Sequence, residues 1–316
     1  MEPLEIYGVK LKDKEKQLAS QSGGAFTAIA EYILSLGGVV YGCGFDYDFQ
    51  VVYLRVDNVS DLYKLKGSKY VQAKISGSTY DDLLSDLSNG RTVLFSGTAC
   101  YCEAVRKYIE FKKVKGQLIT VDLICHGVPS PKIYRDYISY LEKEKESTVI
   151  DFSFRYKQPG GWHVHEERIK YANGDSEIRK EYTTIFYTNI ILRPSCGKCQ
   201  YASLDRKSDF TIGDFWGIEK KYPEHHDKDG MSVILLNSNF AIEIFDKCKN
   251  NLDYFQVEAK DIIQPNLLHS TRIPLRHVFF WYDYKRKGIE YCFKKYWPKK
   301  SLIVNIKGLV KKILGG

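Results

Sequence analysis

The segment RTVLFSGTACYCEAVRKYIEFKKVKGQLITVDLICHGVPS, residues 91–130, constrains the fold more than any other part of the chain. Val93, Leu94 and Phe95 form a short apolar run that ends in a Ser-Gly-Thr turn, and Leu118 to Ile124 form a second that ends at Cys125. YCEAVRKYIEF, between them, reads as a helix. Strand, helix and strand at this length make a βαβ unit whose strands run parallel through a right-handed crossover. Both strand C-termini then fall on one edge of the sheet, the edge where open α/β sheets build their sites.

The flanking sequence extends this core. Ser22-Gly23-Gly24 opens AFTAIAEYILSLGG, in which Phe26, Ile29, Ala30, Ile33 and Leu34 recur at helical spacing until Gly37 and Gly38 stop the run. VVYGCGF and VVYLRV, separated by DYDFQ, predict a hairpin. A helix is expected near TYDDLLSDLSNG and another, amphipathic, at IYRDYISYLEKEKES. From VIDFSFRYK to RIKYANGDSEIRKEY, alternating residues around Gly160-Gly161 and Asn173-Gly174 predict an antiparallel β element. DFTIGDFWG and MSVILLNS read as two further strands. With 316 residues, 44% of them hydrophobic, the expected fold is α/β (mixed α+β): a parallel βαβ core, an antiparallel β insertion and a C-terminal helical region.

No run of about 18 apolar residues occurs, and MEPLEIYGVKLKDKEKQ is too polar for a signal peptide, so a cytoplasmic protein is expected. The net charge of +8 favours anionic partners: a nucleotide cofactor, membrane lipid or an acidic protein. No nucleic-acid-binding motif accompanies it, and nucleic acid is not an expected partner. SLIVNIKGLVKKILGG places Leu302, Ile303, Ile306, Leu309, Val310, Ile313 and Leu314 on one helical stripe among Lys307, Lys311 and Lys312. Such a basic amphipathic tail either packs on the body or rests on a membrane surface.

Eight cysteines, at 43, 100, 102, 125, 196, 199, 248 and 292, lack the density of a secreted disulfide scaffold. In a reducing compartment, clustered cysteines mean metal or redox chemistry. Cys100 and Cys125 both fall just past predicted strand C-termini. Cys196 and Cys199, in RPSCGKCQYA, stand before the strand Asp209 to Phe215 and can reach the same edge, giving four thiolates from three segments. Zinc, a thiol–disulfide couple and an iron–sulfur cluster all use cysteines at this spacing. Zinc sites usually pair two local knuckles, and here one pair is local; a thioredoxin-like couple needs a long helix after the motif, where QYASLDRKSD is short and polar. Cys43, Cys248 and Cys292 lie in apolar surroundings and read as buried small hydrophobes; Cys102 is either core or a spare ligand.

Weaker signals surround these. SGGAFT at a helix start can hold phosphate on free backbone N–H groups. KLKGSKYVQAK sets Lys64, Lys66, Lys69 and Lys74 around Gly67-Ser68, suiting a pyrophosphate or simply a solvated face. His126, beside Cys125, can donate a proton or tune a redox centre, or serve only as a strand-end hydrogen bond. There is no G-x-G-x-x-G, Walker A or H-E-x-x-H sequence, and His225-His226 reads as part of a polar loop.

Six longer motifs carry a family resemblance: QSGGAFTAIAEYILSLGGVVYG (residues 21–42, where the family has Ser at the first position), LKGSKYVQAKI, LFSGTACYCEAVRKYI, LITVDLICHGVPSPKIY, FRYKQPGGW and RPSCGKCQYASLDRKSDFTIGDFWGI. Over roughly residues 5–280 the sequence resembles the coenzyme F(420) hydrogenase/dehydrogenase beta-subunit family. The resemblance implies a flavin-dependent electron-transfer protein with FAD and a 4Fe-4S cluster, passing electrons between an iron–sulfur carrier and a two-electron acceptor. Some related proteins are encoded among polysaccharide-synthesis genes. It divides the chain into 1–88 with flavin-binding segments, 89–255 with the four cysteines, and 256–316, a helical extension with the basic tail.

By position, the family's cysteines correspond to Cys100, Cys125, Cys196 and Cys199, and its flavin segments to Ser22, Gly23, Gly24 and Thr27 with Gly67, Ser68, Lys69 and Tyr70; His126 is the candidate catalytic residue. FAD would join one-electron to hydride chemistry, the cluster handling single electrons. Two departures stand out. Gly97-Thr98-Ala99-Cys100 replaces the usual Gly-Thr-Pro-Cys, and residues 1–20 hold none of the cysteines of the ferredoxin-like segment that opens many members. A ferredoxin or a separate iron–sulfur subunit is therefore the expected partner. The alternative is a non-catalytic accessory protein of the same fold with a structural metal at the four cysteines.

Overall fold

A computed structural model describes residues 2–157 and 161–297. The amphipathic tail from Ser301 onward, and Gly160 of the Gly160-Gly161 turn, lie outside the described residues.

The chain opens on β1 (Glu5–Leu11) and α1 (Lys14–Ala19), then enters α2 (Ala25–Ser35). Next, β2 (Val39–Phe45) and β3 (Val51–Val56) form the expected antiparallel hairpin. After α3 (Gly77–Ser88) come β4 (Val93–Thr98), α4 (Ala99–Lys112) and β5 (Leu118–Leu123); β4 and β5 pair in parallel, as the βαβ reading predicts. α5 (Pro131–Lys145) leads to a separate antiparallel sheet of β6 (Val149–Ser153), β7 (Glu167–Tyr171) and β8 (Ser176–Arg179), followed by α6 (Glu181–Tyr187). The main sheet resumes with β9 (Phe210–Asp214), α7 (Ile218–Lys221), β10 (Ser232–Leu236), α8 (Asn239–Cys248) and β11 (Leu252–Gln256), and α9 (Arg276–Tyr296) ends the described part.

The main sheet runs β11-β1-β10-β9-β5-β4-β2-β3. Its centre, β9-β5-β4-β2, is parallel, and antiparallel strands extend both margins. Successive side chains of a strand face opposite sides, and the core divides accordingly. Val40, Leu94, Ile119 and Val121 pack on α2 and α8, whereas Val39, Tyr41, Val93 and Phe95 face α3, α4, α5, α9 and the small sheet. β1 escaped the sequence reading because Lys10 and Lys12 make its neighbourhood look polar. Ile6, Val9 and Leu11 are nevertheless buried, and β1 joins β10 to β11.

Local chemistry fixes the helix starts nearest the sheet's working edge. α2 begins at Gly24, whose φ of 88° is left-handed, and buries Ile29, Ile33 and Leu34 as its periodicity requires. Ser130 caps α5 by accepting from the Lys132 amide, with Pro131 in the first turn.

Glu167 is fully buried between these layers. Its carboxylate accepts from the Thr183 amide (2.7 Å), the Thr183 hydroxyl (2.9 Å) and the Tyr137 hydroxyl (2.7 Å). Burial pushes its pKa up to about 7, the three hydrogen bonds opposing. A carboxyl whose folded pKa lies above its unfolded value stabilises most below that unfolded value, and the contribution is lost as pH rises through about 7. Glu167→Gln, near in shape, is expected to remove this fall in stability between about pH 4.5 and pH 7, seen by urea titration at both ends of the window. An unchanged pH slope would contradict the assignment.

Candidate functional site

The C-terminal ends of β2, β4, β5 and β9 open onto a cavity of about 360 Å³, within the range of small-molecule sites. Ser96 to Thr98 of β4, Leu123 to Val128 after β5 and Ile212 to Asp214 of β9 form its floor. Ser22, Gly24 and Thr27 at the head of α2 form one side. Gly67, Ser68, Lys69 and Tyr70 form another, so seven of the eight residues expected to contact flavin line one cavity. Gly23 lies just behind: its amide donates to Ser232 Oγ at 2.9 Å, and an added Cβ would meet the Val9 carbonyl oxygen at 2.2 Å.

The Ser22 turn is held from beneath. Ser22 has a left-handed φ of 52° although it is not glycine, and its hydroxyl donates to the Met231 carbonyl at 2.5 Å. The buried Lys157 ammonium donates to the Ser22 carbonyl at 2.7 Å and the Gln17 carbonyl at 2.9 Å. Burial draws the Lys157 pKa down to about 8, with Arg155 acting in the same direction. Lys69 is turned toward its own loop, donating to the carbonyls of Leu65 (3.1 Å) and Lys66 (2.7 Å), and burial lowers its pKa to about 8. Its ammonium thereby closes the Gly67-Ser68 turn instead of extending freely into the cavity.

Several wall residues were not singled out from the sequence. Arg155 donates to Asp214 Oδ2 at 2.6 Å and to the Trp162 carbonyl at 2.5 Å, with its guanidinium 5.8 Å from the Trp216 ring centre. Phe186 stacks on the expected Tyr70 at 4.6 Å and Tyr187 meets it at 6.0 Å, extending an aromatic wall. Cys43, expected to be a buried small hydrophobe, packs half-buried against the core and also lies on the cavity wall within electrostatic reach of Lys69. The available signal was the motifs themselves: FRYK contains Arg155 and Lys157, and IGDFWG contains Asp214 and Trp216.

His126 also lines the cavity. Its Nε2 lies 2.6 Å from Asn189 Oδ1, which as acceptor assigns the ring proton to Nε2, and burial lowers its pKa, keeping the imidazole neutral at pH 7.

The four candidate cysteines come from three segments that lie at this floor, within electrostatic reach of one another. Cys100 stands in the first turn of α4, with its sulfur 3.1 Å from the Thr98 hydroxyl. An antiparallel bridge between Pro129 and Leu192, with the Arg193 amide donating to the Val128 carbonyl at 2.9 Å, draws the CGKC loop onto the segment after β5. The Val128 amide then donates to the Cys196 sulfur at 3.4 Å. Gly127, with φ of 130°, is the residue this approach requires: an added Cβ would sit 3.2 Å from the Cys196 Cβ. Burial pushes the Cys125 pKa up to about 12, and Cys196, Cys100 and Cys199 each raise it further, so these three thiols all lie within electrostatic reach of Cys125. Among the described residues, no three His, Cys, Asp or Glu side chains gather at the spacing of a single metal ion. Four thiols from three segments, one of them at a helix N-terminus, form a donor set of the kind that an iron–sulfur cluster or a zinc ion takes. Cys102, by contrast, is wholly buried against the Val121 carbonyl, and Cys248 and Cys292 are core residues.

The family model for the C-terminal region of the coenzyme F420 hydrogenase/dehydrogenase beta subunit matches residues 90–262. The chain belongs to the coenzyme F420 hydrogenase/dehydrogenase beta-subunit family. The region matched to that family holds all four candidate cysteines, His126, Arg155 and Asp214; the α2 turn and the Gly67 loop lie upstream of it. A solved chain of the F420-reducing [NiFe] hydrogenase complex from Methanosarcina barkeri, from a xenon-derivatisation study, is similar in fold. The TM-score is 0.53 at 18% identity, over 93% of this chain and 91% of that one. No curated protein sequence matches the chain significantly.

Proposed function

We propose that this member of the F420 hydrogenase/dehydrogenase beta-subunit family is an oxidoreductase that holds FAD in the cavity and a 4Fe-4S cluster at Cys100, Cys125, Cys196 and Cys199. The carrying observation is the position of Cys125, which lines the cavity floor and also interacts with the other three thiols. FAD and the cluster, when bound, supply two-electron and one-electron chemistry respectively.

The protein's own residues have separable tasks. The head of α2 presents free amides and a positive dipole end to an anion, with Lys66 and Lys69 adding positive charge nearby. Arg155 and Lys157, both buried, fix the wall and the Ser22 turn. Tyr70 and Phe186 offer a flat apolar face. His126, whose Nε2 proton is engaged by Asn189, would act toward a substrate in the cavity as a proton acceptor. An external iron–sulfur carrier is the proposed electron source, and a small molecule the proposed acceptor.

Lys69→Ala is expected to weaken FAD retention about tenfold, by releasing the Gly67-Ser68 turn that the ammonium closes through the Leu65 and Lys66 carbonyls, while iron content stays unchanged. The check is flavin release measured by gel filtration of the reconstituted protein. Undiminished flavin affinity would remove Lys69 from the site. The function itself is tested by adding reduced ferredoxin anaerobically and following the flavin absorbance. Bleaching is expected; a flavin that dithionite reduces but ferredoxin does not would sink the proposed donor.

A further inference from the structure

The four-cysteine site reaches the protein surface. Cys100 is exposed, whereas Cys125, Cys196 and Cys199 are half-buried. The stretch before α9 packs against the segments that carry them: Ser270 Oγ donates to the Gly197 carbonyl at 3.0 Å, Thr271 Oγ1 to the His126 carbonyl at 2.5 Å, and Asn189 Nδ2 to the Arg272 carbonyl at 3.2 Å. Ile273 closes the contact, since an added Cβ on Gly197 would sit 2.6 Å from its side chain. Arg193 holds another flank. Its Nη1 donates to Gln72 Oε1 at 2.5 Å, and Gln72 Nε2 lies 3.4 Å from the hydroxyl of Tyr101, the residue after Cys100.

The segments that meet here carry charge of one sign. Residues 96–102, 123–130, 187–204 and 262–282 contain Arg193, Lys198, Arg272 and Arg276 and no Asp or Glu. All four basic residues are exposed. Arg193 is held by a neutral amide and Arg276 lies 5.4 Å from the Tyr296 ring centre, so these contacts leave both charges uncancelled. Arg193 is also within electrostatic reach of Cys196. On the same stretch, either side of Arg272, Leu268 and Leu275 are 57% and 86% exposed.

We propose that this basic, acid-free surface around Cys100, Lys198 and Arg272 is the docking site of an acidic iron–sulfur protein that delivers electrons there; the proposal rests on the reading that the four cysteines hold a cluster. One electron leaves the partner's reduced centre and enters at the four-cysteine site, and no bond is made or broken. Charge selects an acidic partner, because exposed cations without acids between them attract carboxylates and repel a basic surface. Position selects a redox protein among acidic partners, because the exposed thiol at this surface belongs to the candidate ligand set. Two exposed leucines beside a charged rim suit the small contact of a transient complex.

The test is binding of an acidic two-cluster ferredoxin to the full chain, measured by fluorescence anisotropy at low and high salt, with the chain both metal-free and reconstituted. K198E/R272E is expected to raise Kd at least about tenfold and to flatten its salt dependence. K113E/K115E makes the same change in charge at exposed residues before β5, at the opposite end of that strand, and is expected to leave both unaltered. Carbodiimide, which joins a carboxylate to an amine, is expected to cross-link the ferredoxin to Lys198 in the unsubstituted chain. Equal binding by K198E/R272E and the unsubstituted chain would overturn the docking site. So would an equal loss in K113E/K115E, which would make net charge the cause, or an unsubstituted chain that binds no ferredoxin in either form. Binding that follows these charges in a chain that loads no iron would uphold the docking surface and sink the cluster reading alone.

Discussion

Cys125→Ser is expected to lower iron in anaerobically reconstituted protein from about four atoms per chain to less than one, with the fold retained. Serine occupies nearly the same space, but its hydroxyl is a poor substitute for a soft thiolate ligand. In the metal-free protein the Cys125 thiol is protonated at neutral pH, since burial and three neighbouring thiols hold its pKa near 12. Loading a cluster must therefore release its proton, and incorporation should become more favourable as pH rises. Cys248→Ser is the control. That thiol is buried on α8 and directs its weak donor to the Phe245 carbonyl at 3.5 Å, far from the working edge in sequence and in the opposite core layer. Equal iron in the two variants would refute the ligand assignment.

Arg155→Ala is expected to destabilise the fold by about 3–5 kcal/mol, the usual result of removing one partner from a buried ion pair. The Arg155 side chain is only 3% exposed and its partner Asp214 only 14%. Truncation leaves the Asp214 carboxylate and the Trp162 carbonyl without their donor and removes the cation beside Trp216. Arg155→Lys should recover part of the loss, because a single ammonium cannot span both acceptors as the guanidinium fork does. Adding Asp214→Asn to Arg155→Ala should also relieve part of it by discharging the stranded carboxylate. Urea unfolding of the three variants measures these differences. A loss under about 1 kcal/mol for Arg155→Ala would mean that water replaces the guanidinium readily and the pair is not structural.

Much of the working edge was legible in the sequence because its causes are local. Apolar runs of strand length around a helical segment fix β4, α4 and β5, and parallel pairing alone brings Cys100 and Cys125 to one edge. The glycine-rich head of α2 was visible for the same reason. What the sequence could not show was long-range. Lys157 reaches the Ser22 turn across 135 residues, and Arg155 meets Asp214 across 59. Neither pairing leaves a periodic trace. The approach of the CGKC loop depends on the Pro129–Leu192 bridge and on the positive φ of Gly127, which no spacing between cysteines encodes. The place of Cys43 on the cavity wall was hidden because an apolar strand context does not reveal that the strand borders a cavity.

The most direct test of the account is an anaerobic purification followed by analysis of iron, sulfide, zinc and flavin per chain. The four-thiol site beside the cavity predicts a brown protein with about four irons and matching sulfide after reconstitution, and one FAD. A colourless protein holding stoichiometric zinc, with no flavin retained after reconstitution, would contradict it.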